Sequence, residues 1–226
     1  MKTSPFSVND GNERLGILGG TFNPPHVGHL RLAEEVAEVH DLAKVVFVPC
    51  YIPPHKKADH VVSADHRLEM TRRSCEDNPL FAVSDIEVAR SGPSYTVDTL
   101  KFLRREFDYE TFFIIGTDSL AEIHTWKDYE KLFGFSHFVV VERPGTPFEK
   151  AWAEVPTQVR NEFTMSQGSW IHPSSNRLIC SEVGGLDISA TSIRKLCRSG
   201  RSIRYLVTES VRSYITDRNL YGKRAS

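Results

Sequence analysis

No stretch of this sequence stays apolar for longer than about four or five residues, Val45 to Val48 being typical. A membrane-crossing helix needs about 20, so none is expected. Neither sign of charge is in excess. Lys plus Arg number 28 and Asp plus Glu 29, for a formal net charge of -1. That excludes a global basic field for a nucleic-acid backbone. It leaves room for a local basic cleft, because net charge says nothing about one pocket. Cysteine is scarce: Cys50, Cys75, Cys180 and Cys197 form no C-x-x-C pair. Neither a disulfide scaffold nor a zinc site is expected, and the four read as reduced thiols in a cytoplasmic protein. Residues 1–13 lack an apolar centre, so they read as a loose tail and not as a signal peptide. Repeats and low-complexity tracts are absent. So are the G-x-G-x-x-G and G-x-x-x-x-G-K-[ST] nucleotide fingerprints.

What is present is enough for a core. The chain has 226 residues, 40% hydrophobic and 25% charged, which fits one globular domain. Short apolar runs at 15–18, 45–48, 80–83, 112–115, 138–141 and 178–180 read as strands buried on both faces. Helical spacing predicts helices over 29–40 and 64–76, the second capped by Ser63. A third is expected from a Ser94 or Thr96 cap to Phe107, and a short one opening at Trp126. Further helices are expected near 148–161, 190–199 and 208–218, with 166–176 as loop. Strands alternating with helices argue for right-handed crossovers and a parallel α/β sheet. Ligands of such sheets sit beyond the strand C-termini, at the switch in strand order. The chemistry is therefore expected at 19–29, 49–56, 116–126 and 143–145.

The first of these segments runs Gly19-Gly20-Thr21-Phe22-Asn23-Pro24-Pro25-His26-Val27-Gly28-His29. Its glycines permit close approach of a ligand. It leads into a helix N-terminus, where N–H groups and the dipole favour an anion. His26 and His29 lie three apart, so both rings face one side once the helix has begun. They can donate to phosphate oxygens and stabilise charge that grows in a transition state. A histidine metal site, and a plain Pro/Gly turn with two surface histidines, stay open beside that reading. A second segment, Asp187 to Arg194, crowds hydroxyls before a helix. Ser189 or Thr191 can cap it, and Arg194 can reach a phosphate with two N–H groups. A cap beside a solvated arginine would look the same.

Together the two segments resemble the H-x-G-H and I-S-x-T-x-x-R motifs of the nucleotidyltransferase superfamily. The longer run from Gly19 to His29 resembles the bacterial nicotinate-nucleotide adenylyltransferase family, over about 14–222. The resemblance implies a Rossmann-like doubly wound parallel sheet with C-terminal helices. It implies one nucleotidyltransferase domain over 14–222, with 187–222 a helical part of the ATP site. The activity implied is transfer of the adenylyl group of ATP to nicotinate mononucleotide, with magnesium carried on the phosphates. The displacement would be direct and would need no protein nucleophile, because the acceptor phosphate is already ionised.

Carried over residue by residue, the resemblance puts ATP at Gly19, Gly20, Thr21, Phe22, His26, Gly28 and His29. Gly116 and Asp118 of the Gly116-Thr117-Asp118 turn, Arg143, Ile188, Ser189, Thr191 and Arg194 join them. Lys56 of Ile52-Pro53-Pro54-His55-Lys56 would face the phosphates and the substrate. Ser94, Tyr95 and Thr96 would receive the mononucleotide, and Trp126 would stack on its pyridine ring. His29 would carry the transition-state contact, with His26, Lys56 and Arg194 helping. No protein metal-ligand set, nucleic acid or membrane partner is implied. Asn23 stands where many members carry aspartate, and Glu142 where a basic residue is common. Other acceptors (nicotinamide mononucleotide, phosphopantetheine, or a phospho-alcohol with CTP) keep the chemistry and change the product. A nucleotide-binding module without turnover and a histidine-metal hydrolase are rivals of other classes.

Overall fold

The computed structural model describes residues 14–53, 61–142 and 145–222. Lys56 and Arg143 therefore lie outside the described residues, as does the 1–13 tail. The centre is an eight-stranded sheet of β1 (Arg14–Gly20), β2 (Lys44–Pro49), β3 (Phe81–Val83), β4 (Glu110–Gly116), β5 (His137–Val141), β6 (Thr164–Ser166), β7 (Ser169–Ile171) and β8 (Arg177–Ser181). Its order is β3-β2-β1-β4-β5-β8-β7-β6. The first five strands and β8 pair in parallel; β6 and β7 are antiparallel at one edge.

The apolar runs explain why both faces are covered. Ile17, Val46, Phe113 and Val140 point to one side, against Val97, Leu100 and Leu103. Leu18, Phe47, Ile114 and Val139 point to the other, against Ala33, Val36 and Ala37. The first set of partners lies on α4 (Thr96–Glu106) and the second on α1 (Val27–Val39). A separate cluster joins Met70 of α2 (Ala64–Cys75) to Ile193, Ile203, Val207, Val211 and Ile215. The C-terminal helices, here α8 (Ala190–Arg198) and α9 (Glu209–Asp217), thus seat on α2 and not on the sheet.

The parallel sheet, its doubly wound order and the closing helices agree with expectation. Four local expectations do not. Residues 166–176 are not all loop, because β6 and β7 form a hairpin that extends the sheet. Its strands are only three residues each and too polar at Thr164–Ser166 to give an apolar run. The helix expected over 148–161 splits into α6 (Phe148–Glu154) and α7 (Thr157–Arg160). Pro156 between them lacks the N–H that a continuous helix needs. Trp126 does not open a helix; it lies extended between 3-10 turns at 123–125 and 129–134. Neither Ser94 nor Thr96 caps α4: Tyr95 holds the cap position without a side-chain bond. Two short helices complete the chain, α3 (Ile86–Arg90), which carried no sequence signal, and α5 (Thr117–Ala121).

Candidate active site

Strand order reverses between β1 and β4, the place where a parallel sheet opens a crevice. A cleft of about 890 Å³ lies there, over the C-terminal ends of the central strands. Gly19 to Asn23, His26, Gly28 and His29 line it from β1, and Gly116 and Asp118 from β4. Ser94, Tyr95, Thr96 and Trp126 form another part of the wall. Ile188, Ser189, Thr191 and Arg194 close it from the C-terminal side. Every predicted site residue that the structure describes therefore borders one cleft.

The histidine pair is built by the turn. His26 is the N-cap residue of α1, with extended φ −148 and ψ 166, and is 7% exposed. The His26 and His29 rings stack at 3.7 Å between centroids with 26° between planes. The His26 backbone N–H donates to Nδ1 of His29 at 3.2 Å. An Nδ1 that accepts is unprotonated, so a neutral His29 carries its proton on Nε2, across the ring. The edge contact with Phe22, 5.1 Å away at 75°, fixes the ring from another side. Phe22 itself is 3% exposed and packs on Phe47, so it shapes the site more than it offers surface. Space at Gly28 is tight. A Cβ there would sit 3.0 Å from His26 Nδ1 and 3.4 Å from the Leu186 carbonyl.

One expectation changes in detail. The first turn of α1 is not wholly open to an anion, because Val27 N–H donates to the Leu206 carbonyl at 3.0 Å and His29 N–H to His26 O at 2.9 Å. The C-terminal part thus braces the helix end, and among the described residues Gly28 N–H has no partner in the first turn.

The two motifs, far apart in sequence, meet. Arg194 donates through Nη1 to the Asn23 carbonyl at 2.8 Å and through Nη2 to Thr191 Oγ1 at 3.1 Å. Its Nε is buried with no partner among the described residues. Burial pulls the Arg194 pKa below its ordinary value, opposed by the neighbouring Tyr221. Ser189 is the α8 cap, accepting from Ser192 N–H at 3.1 Å. Asn23 is a structural hub: its Oδ1 accepts from Tyr221 OH at 2.8 Å and from Val62 N–H at 3.3 Å. Burial also drives the Tyr221 phenol up, keeping it a donor.

Ser94 is not a simple surface hydroxyl. Its Oγ accepts from Tyr51 N–H at 2.8 Å and bonds to the Glu87 carboxylate. Thr99 Oγ1 donates to Glu87 Oε1 at 2.6 Å. Burial raises the Glu87 pKa above its ordinary value, with the Thr99 and Ser94 hydrogen bonds opposing. Trp126 stands edge-on to Phe113 at 6.4 Å and 85°, half-buried on the cleft wall. Beside it, Lys127 lies 4.5 Å over the Tyr95 ring and 3.2 Å from Asp98 Oδ2.

Arg67, Glu87, Lys127, Gly185 and Leu186 were not singled out from sequence. Arg67 alone carried a signal. It falls on the stripe of Ala64, Leu68, Thr71 and Cys75 that α2 buries, and an arginine on a buried stripe needs an explanation. Among the described residues no group of three His, Cys, Asp or Glu side chains is placed to hold a metal ion. Asp118 borders the cleft as a carboxylate, a hard oxygen donor of the kind that magnesium takes. No helix among the described residues is long and apolar enough to cross a membrane.

Residues 17–196 match a family model described as cytidylyltransferase-like. The chain is 44% identical over 211 residues to a protein of Geotalea uraniireducens named probable nicotinate-nucleotide adenylyltransferase, covering 92% of this chain and 98% of the relative. It is 46% identical over 211 residues to the protein of that name from Geobacter metallireducens, with the same coverage. Among solved structures, it resembles the Plasmodium falciparum nicotinic acid mononucleotide adenylyltransferase complexed with NaAD, at TM-score 0.72. That match has 20% identity and covers 92% of this chain and 97% of the other. At that identity the likeness concerns the fold.

Proposed function

The chain belongs to the cytidylyltransferase-like family, and from that membership we propose that it transfers the adenylyl group of ATP to nicotinate mononucleotide. The products are nicotinic acid adenine dinucleotide and pyrophosphate, a step of NAD biosynthesis. The observation that carries the assignment of roles is the His26–His29 stack at the switch point, with His29 Nδ1 accepting from the His26 backbone N–H.

The acceptor's 5′-phosphate oxygen attacks the α-phosphorus in line. A new P–O bond forms as the bond to the β-phosphate bridge breaks, and pyrophosphate leaves with the electron pair. No proton has to be removed from the acceptor, so no general base is needed. His29 donates from Nε2 to the α-phosphate as charge builds, and Gly28 N–H adds a backbone donor. His26 backs the His29 ring and limits its rotation. Arg194, Ser189 and Thr191 hold the triphosphate, and Gly19, Gly20 and Thr21 let it approach the end of β1. Tyr95, Thr96 and Trp126 take the nicotinate end, Trp126 by ring stacking. Lys56 and Arg143 complete the phosphate and adenine contacts on this reading. Magnesium supplies neutralisation of phosphate charge when bound with ATP, and Asp118 would hold one of its waters.

On the same reading residues 14–222 form one catalytic domain, with 187–222 serving the ATP side, and the enzyme works in the cytoplasm without nucleic acid. The test is pyrophosphate release by purified protein with ATP and magnesium, comparing nicotinate with nicotinamide mononucleotide. Release with the acid and little with the amide is expected. Equal release would remove the acid preference, and silence with both from protein that binds ATP would remove the activity.

A further inference from the structure

Arg67 is a large charged side chain at 1% exposure, yet no carboxylate pairs with it among the described residues. Its oxygen acceptors are backbone carbonyls, with Cys50 Sγ a longer contact of Nη1 at 3.7 Å. Nη1 donates to Thr21 O at 3.0 Å and to Cys50 O at 2.6 Å. Nη2 donates to Tyr51 O at 2.7 Å, and Nε to Val62 O at 3.1 Å. One guanidinium therefore joins three segments: the loop after β1, the loop after β2, and the approach to α2. We propose that Arg67 is a positioning residue of the transfer reaction, which locks the histidine-bearing loop to the second loop and sets a positive charge behind both. This rests on the adenylyl-transfer reading of the cleft.

Burying a cation without an ion-pair partner is expensive, and an apolar side chain of similar volume would fill the space more cheaply. The fork must therefore provide something that packing does not. Its planar array of donors matches carbonyls approaching from different directions, which a lysine's single nitrogen cannot match. Two of its partners, Thr21 and Cys50, border the cleft.

The second loop is held from its other side as well. Tyr51 N–H donates to Ser94 Oγ at 2.8 Å, and Ser94 N–H donates to Ile52 O at 3.1 Å. Val62 is held twice too, its N–H donating to Asn23 Oδ1 at 3.3 Å and its carbonyl accepting from Arg67. Arg67 thereby grips Tyr51 and Val62 and ties both to the loop that presents His26 and His29. The chemistry of this site is positioning plus charge stabilisation, so such a clamp acts on the reacting geometry. Four carbonyl dipoles turn toward the cation and soften its field. They do not cancel its charge, which favours phosphate in the adjoining cleft.

The test compares the parent protein with Arg67→Lys and Arg67→Ala in pyrophosphate release with ATP and nicotinate mononucleotide. Folding at the assay temperature is checked by circular dichroism and thermal melting. For folded Arg67→Lys, kcat falls roughly tenfold to a hundredfold, the cost of small misplacement, while KM for nicotinate mononucleotide changes little. For Arg67→Ala, millimolar guanidinium restores part of the lost kcat and equal urea does not. A purely structural role would move the melting temperature and leave the kcat of folded protein alone.

Folded Arg67→Lys with kcat within about twofold of the parent would overturn the proposal, as would equal rescue by guanidinium and urea. If Arg67→Lys does not fold, Arg67→Gln, which keeps two N–H donors without the charge, takes its place. Failure of all three variants to fold would assign Arg67 to stability alone. A parent that releases no pyrophosphate would instead defeat the functional reading, whatever Arg67 does.

Discussion

The two walls of the cleft are built differently. On the β1 side, Phe22, Asn23 and His26 are at 3%, 4% and 7% exposure, and the loop is cross-bonded to Val62, Tyr221 and Arg67. On the C-terminal side, Gly184 to Asp187, Ser189 and Thr191 are exposed, and Leu186 retains 48% of its surface. The Arg194 bond to Asn23 O and the approach of Leu186 O to Gly28 join this exposed stretch to the β1 wall, which Tyr221 and Leu206 brace from farther along the chain. A group that must meet a transition state gains from being fixed beforehand, since reorganisation then costs nothing during the reaction. A group that only holds a nucleotide can order itself when the ligand arrives. On the proposed function the contrast predicts a division of roles, with the β1 wall setting kcat and the C-terminal wall setting KM for ATP.

The largest effect tests the fixed wall. His29→Ala is expected to lower kcat by roughly a hundredfold to a thousandfold, the range for losing one transition-state donor. Steady-state pyrophosphate release measures it, and a kcat near the parent's would erase the distinction between the walls. Next comes the bridge between them. Arg194→Gln removes a charged donor worth about 1.5–3 kcal/mol, so KM for ATP should rise roughly tenfold or more. A loss confined to kcat would place Arg194 with the fixed wall instead.

Gly28→Ala sharpens the division within one residue. The new Cβ presses on His26 Nδ1 at 3.0 Å, so kcat should fall roughly tenfold with the melting temperature nearly kept. Ser189→Ala tests the exposed wall. It removes the α8 cap, worth about 1 kcal/mol, and should raise KM for ATP a few-fold with kcat intact.

The division also explains what could be read from sequence. Four-residue apolar runs announce strands covered on both faces, and turn residues announce where they stop; hence the central strands and the switch-point cleft were legible. The histidine spacing was legible from local geometry, whereas the Ile188 to Arg194 hydroxyls read equally well as a helix cap until the resemblance singled them out. The 164–171 hairpin was not, because short polar strands are stabilised by an existing sheet edge. Nor was the role of Asn23, whose partners Val62, Tyr221 and Arg194 come from other elements. Ser94 was read as a ligand-facing hydroxyl. Only tertiary contacts reveal that Tyr51 N–H and Glu87 already engage it.

Glu87 offers the smallest test, one that separates the frame of the site from its chemistry. The residue is 8% exposed, and burial raises its pKa above the ordinary 4.5. The folded state then binds a proton more tightly than the unfolded state. Between 4.5 and the raised value the folded protein holds more protons, so stability declines as pH rises through that window. Glu87→Gln cannot ionise. It carries a fixed change in hydrogen bonding to Thr99 and Ser94, but no slope from this position. The melting temperature of Glu87→Gln minus that of the parent should therefore climb as pH rises from about 4 and level off once the native Glu87 has ionised. A flat difference across that range would mean that the hydroxyls of Thr99 and Ser94, with the Arg90 charge, offset the cost of burial fully. A falling one would mean that they hold the carboxylate ionised, as a fixed anion beside the substrate wall.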